Sequence, residues 1–189
     1  LVYFCMIYEI DQLSAQLHDK TVIHNQPIDI GVRGSRLSAG RPFGESQDLL
    51  ITIDEEAAEN FGSIIPNTLN YLIVRKGLAD LLLSSILKVE SLPVSITKKG
   101  RTVVSDYFIL NPLDHLDLID RKKSDLLAND EGKILTVKKF VAKDEDRVNG
   151  PTLFRVANYQ RHYFINDKMA SLLQNKGFND LYLIEINND

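Results

Sequence analysis

The amino-acid sequence predicts an α+β protein, with a mixed, mainly antiparallel sheet and a few helices packed on one side of it. Two apolar runs, residues 92–97 and 102–110, flank a polar loop whose Gly100 favours a β-hairpin. A second hairpin is predicted for residues 153–157 and 163–165. Helical spacing of apolar residues is confined to short segments between such strands, which is typical of α+β proteins.

The N-terminal third is expected to be less regular than the rest. Residues 2–8 are apolar, β-branched and aromatic, which predicts a buried strand that contains Cys5 as a small hydrophobic residue. Residues 31–44 carry four glycines and three arginines and are expected to form a mobile loop. A short strand is predicted at 49–53, followed by a short helix that Asp54 is placed to cap.

The central part is predicted to contain a strand at 71–74, a helix, the first hairpin and a second helix. The apolar stripe of the first helix consists of Leu78, Leu81, Leu82 and Ile86. Pro93 cannot donate a ladder hydrogen bond, so its strand is expected to begin there or to lie at a sheet edge. Residues 113–124 place apolar residues at every third position and are expected to form a charged helical connector.

The C-terminal part continues the pattern of strands with one more helix. Residues 134–141 predict a strand. After the second hairpin, Asn166 or Asp167 is expected to cap a helix that Gly177 ends in the left-handed conformation. Residues 181–186 are apolar on both faces except at Glu185, which predicts a closing strand in the middle of the sheet.

Two segments of the chain are weakly similar to each other. Residues 71–97 and 163–186 each predict a strand, a helix and a strand, and three helical residues match at a constant offset of 91. The matching residues are Ala79, Leu81 and Leu82 in the first segment and Ala170, Leu172 and Leu173 in the second. The similarity is open to two interpretations, an internal duplication or two ordinary amphipathic helices.

Length and composition narrow the function classes. The chain has 189 residues, which favours a single domain, 1–189, with 71–189 as its regular part and 1–70 as the less regular one. The net charge of −4 argues against a nucleic-acid partner. No apolar run approaches the roughly 20 residues of a membrane span, so we expect no membrane association and a cytoplasmic protein. The sequence does not predict an oligomeric state.

Few residues of the sequence suggest a catalytic or ligand-binding site. The glycines and arginines of 31–44 are residue types that recognise phosphate or carboxylate, but a P-loop ending is absent and a solvated loop is the simpler interpretation. Asp114, Asp117 and Asp120 would share one face of a helix and could attract a cation, but a solvent-exposed helix face is the simpler interpretation. No nucleophile, metal or cofactor motif is present, so the sequence predicts no enzyme, no metal site and no cofactor.

The order of elements from residue 71 to the end resembles a bacterial family from polymorphic toxin systems, immunity protein family eleven. The corresponding elements here are Leu92-Pro93-Val94, Tyr107 to Asn111, Asp117 to Asp120 with Ser124, Leu153-Phe154-Arg155, and a terminal helix from Ile165 to Gly177 before Leu181. The resemblance covers about 120 residues and assigns no role to residues 1–70. It implies an antitoxin that binds and blocks a cognate secreted toxin in the producing cell, without catalytic residues of its own.

An inhibitor of this kind would contact its toxin through a few aromatic or arginine anchors and a charged rim. The predicted anchors on presumed loops are Arg41, Phe43, Tyr159 and Arg161. The predicted acidic rim, suited to a cationic substrate cleft, consists of Asp114, Asp117, Asp144, Glu145 and Asp146.

Two other functions remain open at this point. The first is an enzyme or binding module that recognises a phosphorylated small ligand through residues 31–44. The second is a module that binds extended peptides at an exposed sheet edge, for which the strand starting at Pro93 is the candidate.

Overall fold

A computed structural model describes residues 6–12, 20–28, 30–44, 47–84, 88–143 and 152–186. Within these ranges the chain forms twelve strands and three helices, which confirms the α+β class. The first six strands are β1 (Ile7–Asp11), β2 (Leu49–Thr52), β3 (Ile64–Ile65), β4 (Leu72–Arg75), β5 (Val89–Lys98) and β6 (Arg101–Pro112). The others are β7 (His115–Leu116), β8 (Asp125–Ala128), β9 (Ile134–Lys139), β10 (Leu153–Val156), β11 (Tyr159–Asn166) and β12 (Tyr182–Glu185). The helices are α1 (Arg33–Ser38), α2 (Lys76–Leu82) and α3 (Asp167–Asn175).

The strands form two five-stranded sheets and one two-stranded ribbon. The first sheet has the order β12-β1-β11-β10-β7, and the second has the order β2-β5-β6-β4-β3. All described pairings between these strands are antiparallel except β10 with β7 and β2 with β5. The ribbon consists of β8 and β9. The predicted mixed, mainly antiparallel arrangement is therefore present, divided over two sheets.

Both predicted hairpins are present, and both turns are tighter than expected. Lys99 and Gly100, with φ of 51° and 73°, connect β5 to β6, and Asn158, with φ of 63°, lies in the turn between β10 and β11. Positive φ at such positions matches the right-handed twist of the flanking strands. The short turns bring the ends of the paired strands close together.

The two similar segments have the same arrangement in the two sheets. In the first, β4 and β5 lie on either side of β6, and α2 connects them; in the second, β11 and β12 lie on either side of β1, and α3 connects them. The buried helical residues correspond at the offset of 91: Leu78, Ala79 and Leu82 in α2, and Met169, Ala170 and Leu173 in α3. Both sets pack in one apolar cluster, which gives the two helices a common core.

The C-terminal helix follows its sequence signals closely. The Asn166 side chain accepts a hydrogen bond from the backbone N–H of Met169 at 3.0 Å, so Asn166 is the N-cap. Gly177 has φ of 82° and ends the helical segment in the left-handed region, as predicted. Burying Met169 and Leu173 stabilises the fold by about 1.5–3 kcal/mol for each side chain.

Three local predictions are wrong. Residues 31–44 were expected to form a mobile loop, but they contain α1, whose Leu37 is buried. Residues 113–124 form no helix and instead contain β7 and a turn in which the Asp120 carboxylate accepts the N–H groups of Lys122 and Lys123. The segment after Asp54 is a turn rather than a helix.

Two predictions about sheet position are also wrong. β12 lies at the edge of its sheet, with Tyr182 53% exposed, although its apolar sequence predicted a central strand. Pro93 lies inside β5, which begins four residues earlier and has a neighbour on each side. The pairing of β5 with β2 starts at Val94, one residue after the proline, so no β2 partner is opposite Pro93.

Three apolar clusters hold the structure together. The first lies between α1 and the second sheet, the second contains α2 and α3, and the third lies between the first sheet and the β8–β9 ribbon. Thus α2 and α3 pack together, while α1 belongs to a different cluster. Among the described residues, no helix has the length and apolar character needed to cross a bilayer.

Candidate functional site

A fully buried arginine connects three parts of the chain. Arg155, on β10, is 0% exposed and makes no ion pair with a carboxylate of the described residues. Its Nη2 donates to the Leu37 carbonyl at 2.7 Å, to Asn111 Oδ1 at 3.2 Å and to the Tyr163 hydroxyl at 3.0 Å. Its remaining bonds are donated to the carbonyls of Ser38, Pro112 and Gln160. We call Arg155, Asn111 and Tyr163 the buried polar cluster.

Burial shifts the ionisation of both partners at the centre of this cluster. Desolvation lowers the pKa of Arg155, and the nearby Tyr163 hydroxyl opposes that shift. Desolvation also raises the pKa of Tyr163, which therefore remains a neutral hydroxyl. That hydroxyl accepts from Arg155 and donates to the Asn70 carbonyl at 2.8 Å. Since the carbonyls supply the acceptors that a buried guanidinium requires, the cluster is a structural anchor.

The segment after α1 is fixed by a carboxylate from β5. The N–H groups of Phe43 and Gly44 donate to Glu90 at 2.8 Å and 3.2 Å, and Asn111 Nδ2 donates to the same carboxylate at 2.8 Å. Gly40 lies directly against Arg155, because a Cβ added there would be 2.5 Å from Arg155 Cδ. Two amides of residues 31–44 are thus occupied by Glu90, so the phosphate-recognition hypothesis gains no support from them.

A second group of side chains forms a concave surface at the start of β11. The rings of Tyr159 and His162 stack with centroids 3.9 Å apart and an angle of 10° between them. His162 Nδ1 is hydrogen-bonded to Glu9 Oε1, which reaches it from β1. Because a carboxylate only accepts, the Nδ1 atom of His162 carries the proton in this bond. The stack is therefore held in place across two adjacent strands.

A depression of about 140 Å³ opens beside this stack. It is lined by the start of β9 with the residue before it, and by the β10–β11 turn with the start of β11: Lys133, Ile134, Leu135, Asn158, Tyr159, Gln160, Arg161 and His162. Leu135 is 55% exposed at its rim. We call Lys133, Leu135, Tyr159, Arg161 and His162 the Tyr159 surface.

Two neighbouring depressions share residues with this surface. One includes Glu9, Asp11, Arg161 and His162, and the other includes Glu9, Lys139, Tyr159 and Ile184. Ile184 is 40% exposed on β12. The Tyr159 surface therefore lies at the centre of a larger uneven face formed by β1, β9, β11 and β12.

The scaffold around the Tyr159 surface is rigid for identifiable reasons. The Ile134 N–H donates to the Asn158 carbonyl at 3.0 Å, which fixes the ribbon against the turn. Arg155 holds the carbonyl of Gln160, the residue between Tyr159 and Arg161. The buried polar cluster thus fixes the backbone that presents the exposed side chains.

Burial also affects Tyr159 itself. Desolvation raises the pKa of its hydroxyl, and the negative charge of Glu9 raises it further. The hydroxyl is consequently neutral over the physiological range and available to donate a hydrogen bond. A half-buried tyrosine with a neutral hydroxyl is suited to protein contacts, where an apolar ring and a polar tip are both used.

The residues predicted to contact a toxin are not all in one place. Tyr159 and Arg161 lie together on the Tyr159 surface. Arg41 is exposed after α1, where its carbonyl accepts from Asn111. The expectation that Phe43 lies on an exposed loop is wrong, because its side chain is 2% exposed and packs in the first apolar cluster.

Where the structure describes the predicted acidic rim, its carboxylates lie close to lysines of the same chain. Asp117 accepts from Lys143 Nζ at 2.7 Å, and Asp114 lies 4.0 Å from Lys88. Asp144, Glu145 and Asp146 are outside the described residues, as is Cys5. The carboxylates that the sequence placed along one helix face are thus distributed around β7 and the following turn.

Several residues of the surface were not anticipated from the sequence. Glu9 and His162 are 153 positions apart, and no local motif connects them. Leu135 lies on β9 and Lys133 directly precedes that strand, whose partner, β8, was not predicted. Among the residues that the structure describes, no three His, Cys, Asp or Glu side chains are grouped closely enough to hold a metal ion.

No protein-family model matches the chain, and no curated protein matches it.

Proposed function

We propose that this chain is an immunity protein that binds a cognate secreted toxin and neutralises it by direct contact in the cytoplasm of the producing bacterium. The observation that carries the proposal is the Tyr159 surface, where a stacked aromatic ring, an arginine and an exposed leucine lie side by side. The resemblance to immunity protein family eleven that we infer from the sequence of residues 71–189 points to the same function, although no family model matches the chain.

The composition of this surface suits a protein partner. Tyrosine and arginine are enriched among residues whose truncation weakens protein complexes most. The buried polar cluster holds the neighbouring backbone through Gln160, and a pre-ordered surface reduces the entropy lost on binding. Complexes of this kind commonly bury about 1,600 Å² in total, so the interface would extend beyond the central depression.

An inhibitor that acts by contact needs no nucleophile, metal or cofactor. Its requirements are a stable scaffold and a surface complementary to the toxin. The acidic side chains Asp114 and Asp117 remain a predicted rim, at which charge would affect the association rate more than the final affinity.

The test is co-expression with the product of the adjacent upstream gene in a host that this product alone arrests. We expect growth to be rescued and the two chains to co-purify with 1:1 or another fixed stoichiometry. An unrelated protein of similar size and charge, expressed at the same level, is the control. Growth arrest that persists despite high expression of the folded chain would contradict the proposal.

A further inference from the structure

The depression of the Tyr159 surface is positively charged within an acidic protein. Lys133 and Arg161 line it, whereas Glu9, which is hydrogen-bonded to His162, lines the two adjoining depressions and not this one. Among the described residues, neither the Lys133 ammonium nor the Arg161 guanidinium has an ion-pair partner. Asp130 and Glu131 lie in the preceding turn but do not line the depression. The net charge of the whole chain, by contrast, is −4.

The other walls of the depression are apolar or aromatic. Ile134 is buried at its base, Leu135 lies at its rim, and the stacked Tyr159 and His162 rings form one side. A depression of about 140 Å³ is large enough to receive one side chain of a partner.

From this combination we propose that the depression receives an aspartate or glutamate side chain of the protein partner, flanked by an apolar residue that contacts Leu135. The inference rests on the proposed function and specifies the chemistry of the partner at that surface. The positive charge of this contact surface is opposite to the negative charge of the acidic rim that the sequence predicts.

Both the charge and the geometry of the depression suit an aspartate or glutamate side chain. The guanidinium of Arg161 can bind a carboxylate with two parallel hydrogen bonds, and Lys133 adds a second positive charge. A carboxylate placed between them would be partly removed from water by Leu135 and Tyr159, which strengthens its attraction to both cations. A phosphate backbone is a poorer occupant, because the whole chain carries a net charge of −4 and Glu9 and Asp11 line the adjoining depression that also contains Arg161.

The test measures the affinity of the full chain for the purified product of the adjacent upstream gene at low ionic strength. Arg161→Glu and Lys133→Glu are each expected to raise Kd about tenfold or more and to reduce its dependence on salt. Lys168→Glu is the matched control, because Lys168 is also exposed but lies at the start of α3 and lines none of the three depressions. Its Kd should stay within about twofold of the wild-type value.

The outcomes separate this inference from the proposed function. If the wild-type complex forms and both reversals leave Kd within about twofold, the inference is overturned while the immunity function stands. If the wild-type chain forms no complex, both are overturned. Restoration of the Arg161→Glu affinity by an Asp-to-Lys or Glu-to-Lys change in the partner would support the inference directly, since a misfolded variant cannot be rescued in this way.

Discussion

Arg155 and Tyr163 form the centre of the buried polar cluster. The guanidinium carbon of Arg155 lies 4.3 Å from the Tyr163 ring centroid, and its Nη2 donates to the hydroxyl of the same residue. A charged side chain at 0% exposure is rare unless its donors are satisfied. Here the carbonyls of α1, β6 and β11 satisfy them, so one side chain holds the N-terminal third, the second sheet and the first sheet together.

Replacing Arg155 should lower the stability of the protein even when the positive charge is kept. Arg155→Lys loses the planar fork and leaves several buried carbonyls without a donor, so we expect the free energy of unfolding to fall by about 3 kcal/mol or more. Arg161→Lys, at an exposed position, should change it by less than about 0.5 kcal/mol. Urea unfolding of both variants measures the difference. Equal stability of the two would refute the anchoring role of Arg155.

Two glycines of the same segment should respond differently to alanine. Gly40 has φ of 63° and no room for a Cβ beside Arg155 and His115, whereas Gly44 has φ of 95° and open space around it. Gly40→Ala therefore adds a steric clash to backbone strain, and we expect a loss of about 3 kcal/mol against about 1 kcal/mol for Gly44→Ala. Thermal unfolding of the pair tests this. A smaller shift for Gly40→Ala than for Gly44→Ala would contradict the described contact.

The two corresponding helices should contribute similar stability. Leu82→Ala and Leu173→Ala each remove a buried side chain from the same apolar cluster, so each should cost about 2–5 kcal/mol. Leu127→Ala, 62% exposed on the ribbon, is the control and should cost less than about 0.5 kcal/mol. Denaturant titration of the three variants gives the comparison. A cost near zero at Leu173 would show that α3 does not share the core of α2.

High pH should unfold the protein through its buried tyrosines. Burial raises the pKa of Tyr71 to about 12 and of Tyr107 to about 12, from about 10 in the unfolded chain. A raised folded-state pKa means that the stabilisation is complete below pH 10 and is lost as the pH rises toward 12. Each residue should account for a loss of up to about 3 kcal/mol, since one pKa unit is worth about 1.4 kcal/mol.

The free energy of unfolding between pH 9 and pH 12 measures this effect. Tyr107→Phe should reduce the slope, although its stability at pH 8 will also fall because the hydroxyl bonds the Gly62 carbonyl. A constant free energy of unfolding up to pH 11.5 in the wild-type protein would show that these hydroxyls are not buried as described.

The sequence predicted those elements whose signals are local. The β5–β6 hairpin, the Asn166 cap and the Gly177 end of α3 each depend on residues within one turn of each other. The prediction of a helix at 113–124 failed because Leu118 and Ile119 are both buried. An amphipathic helix with apolar residues at every third position would not bury two consecutive residues in this way. The prediction that β12 lies in the middle of its sheet failed because an apolar strand can pack one face on α3 and leave the other exposed.

The candidate site was only partly predictable. Tyr159 and Arg161 could be named because they lie near a predicted turn, but Glu9 and Lys133 reach the same surface through sheet pairing and the β8–β9 ribbon. Phe43 was misplaced because α1 is too short to show a helical pattern among the glycines and arginines. From the sequence, Arg155 could be recognised only as a strand residue, since its hydrogen-bond acceptors lie up to 118 residues away along the chain.

The central claim is that the Tyr159 surface binds the toxin, and two exposed leucines of the same ribbon test it most directly. Leu135 lies at the rim of the central depression, whereas Leu127 lines none of the three depressions around it. Isothermal titration calorimetry with the upstream gene product should show that Leu135→Glu weakens binding by about 2 kcal/mol or more, roughly 30-fold. Leu127→Glu should bind within about threefold of the wild-type chain. Equal affinities of Leu135→Glu and the wild-type chain would contradict the account.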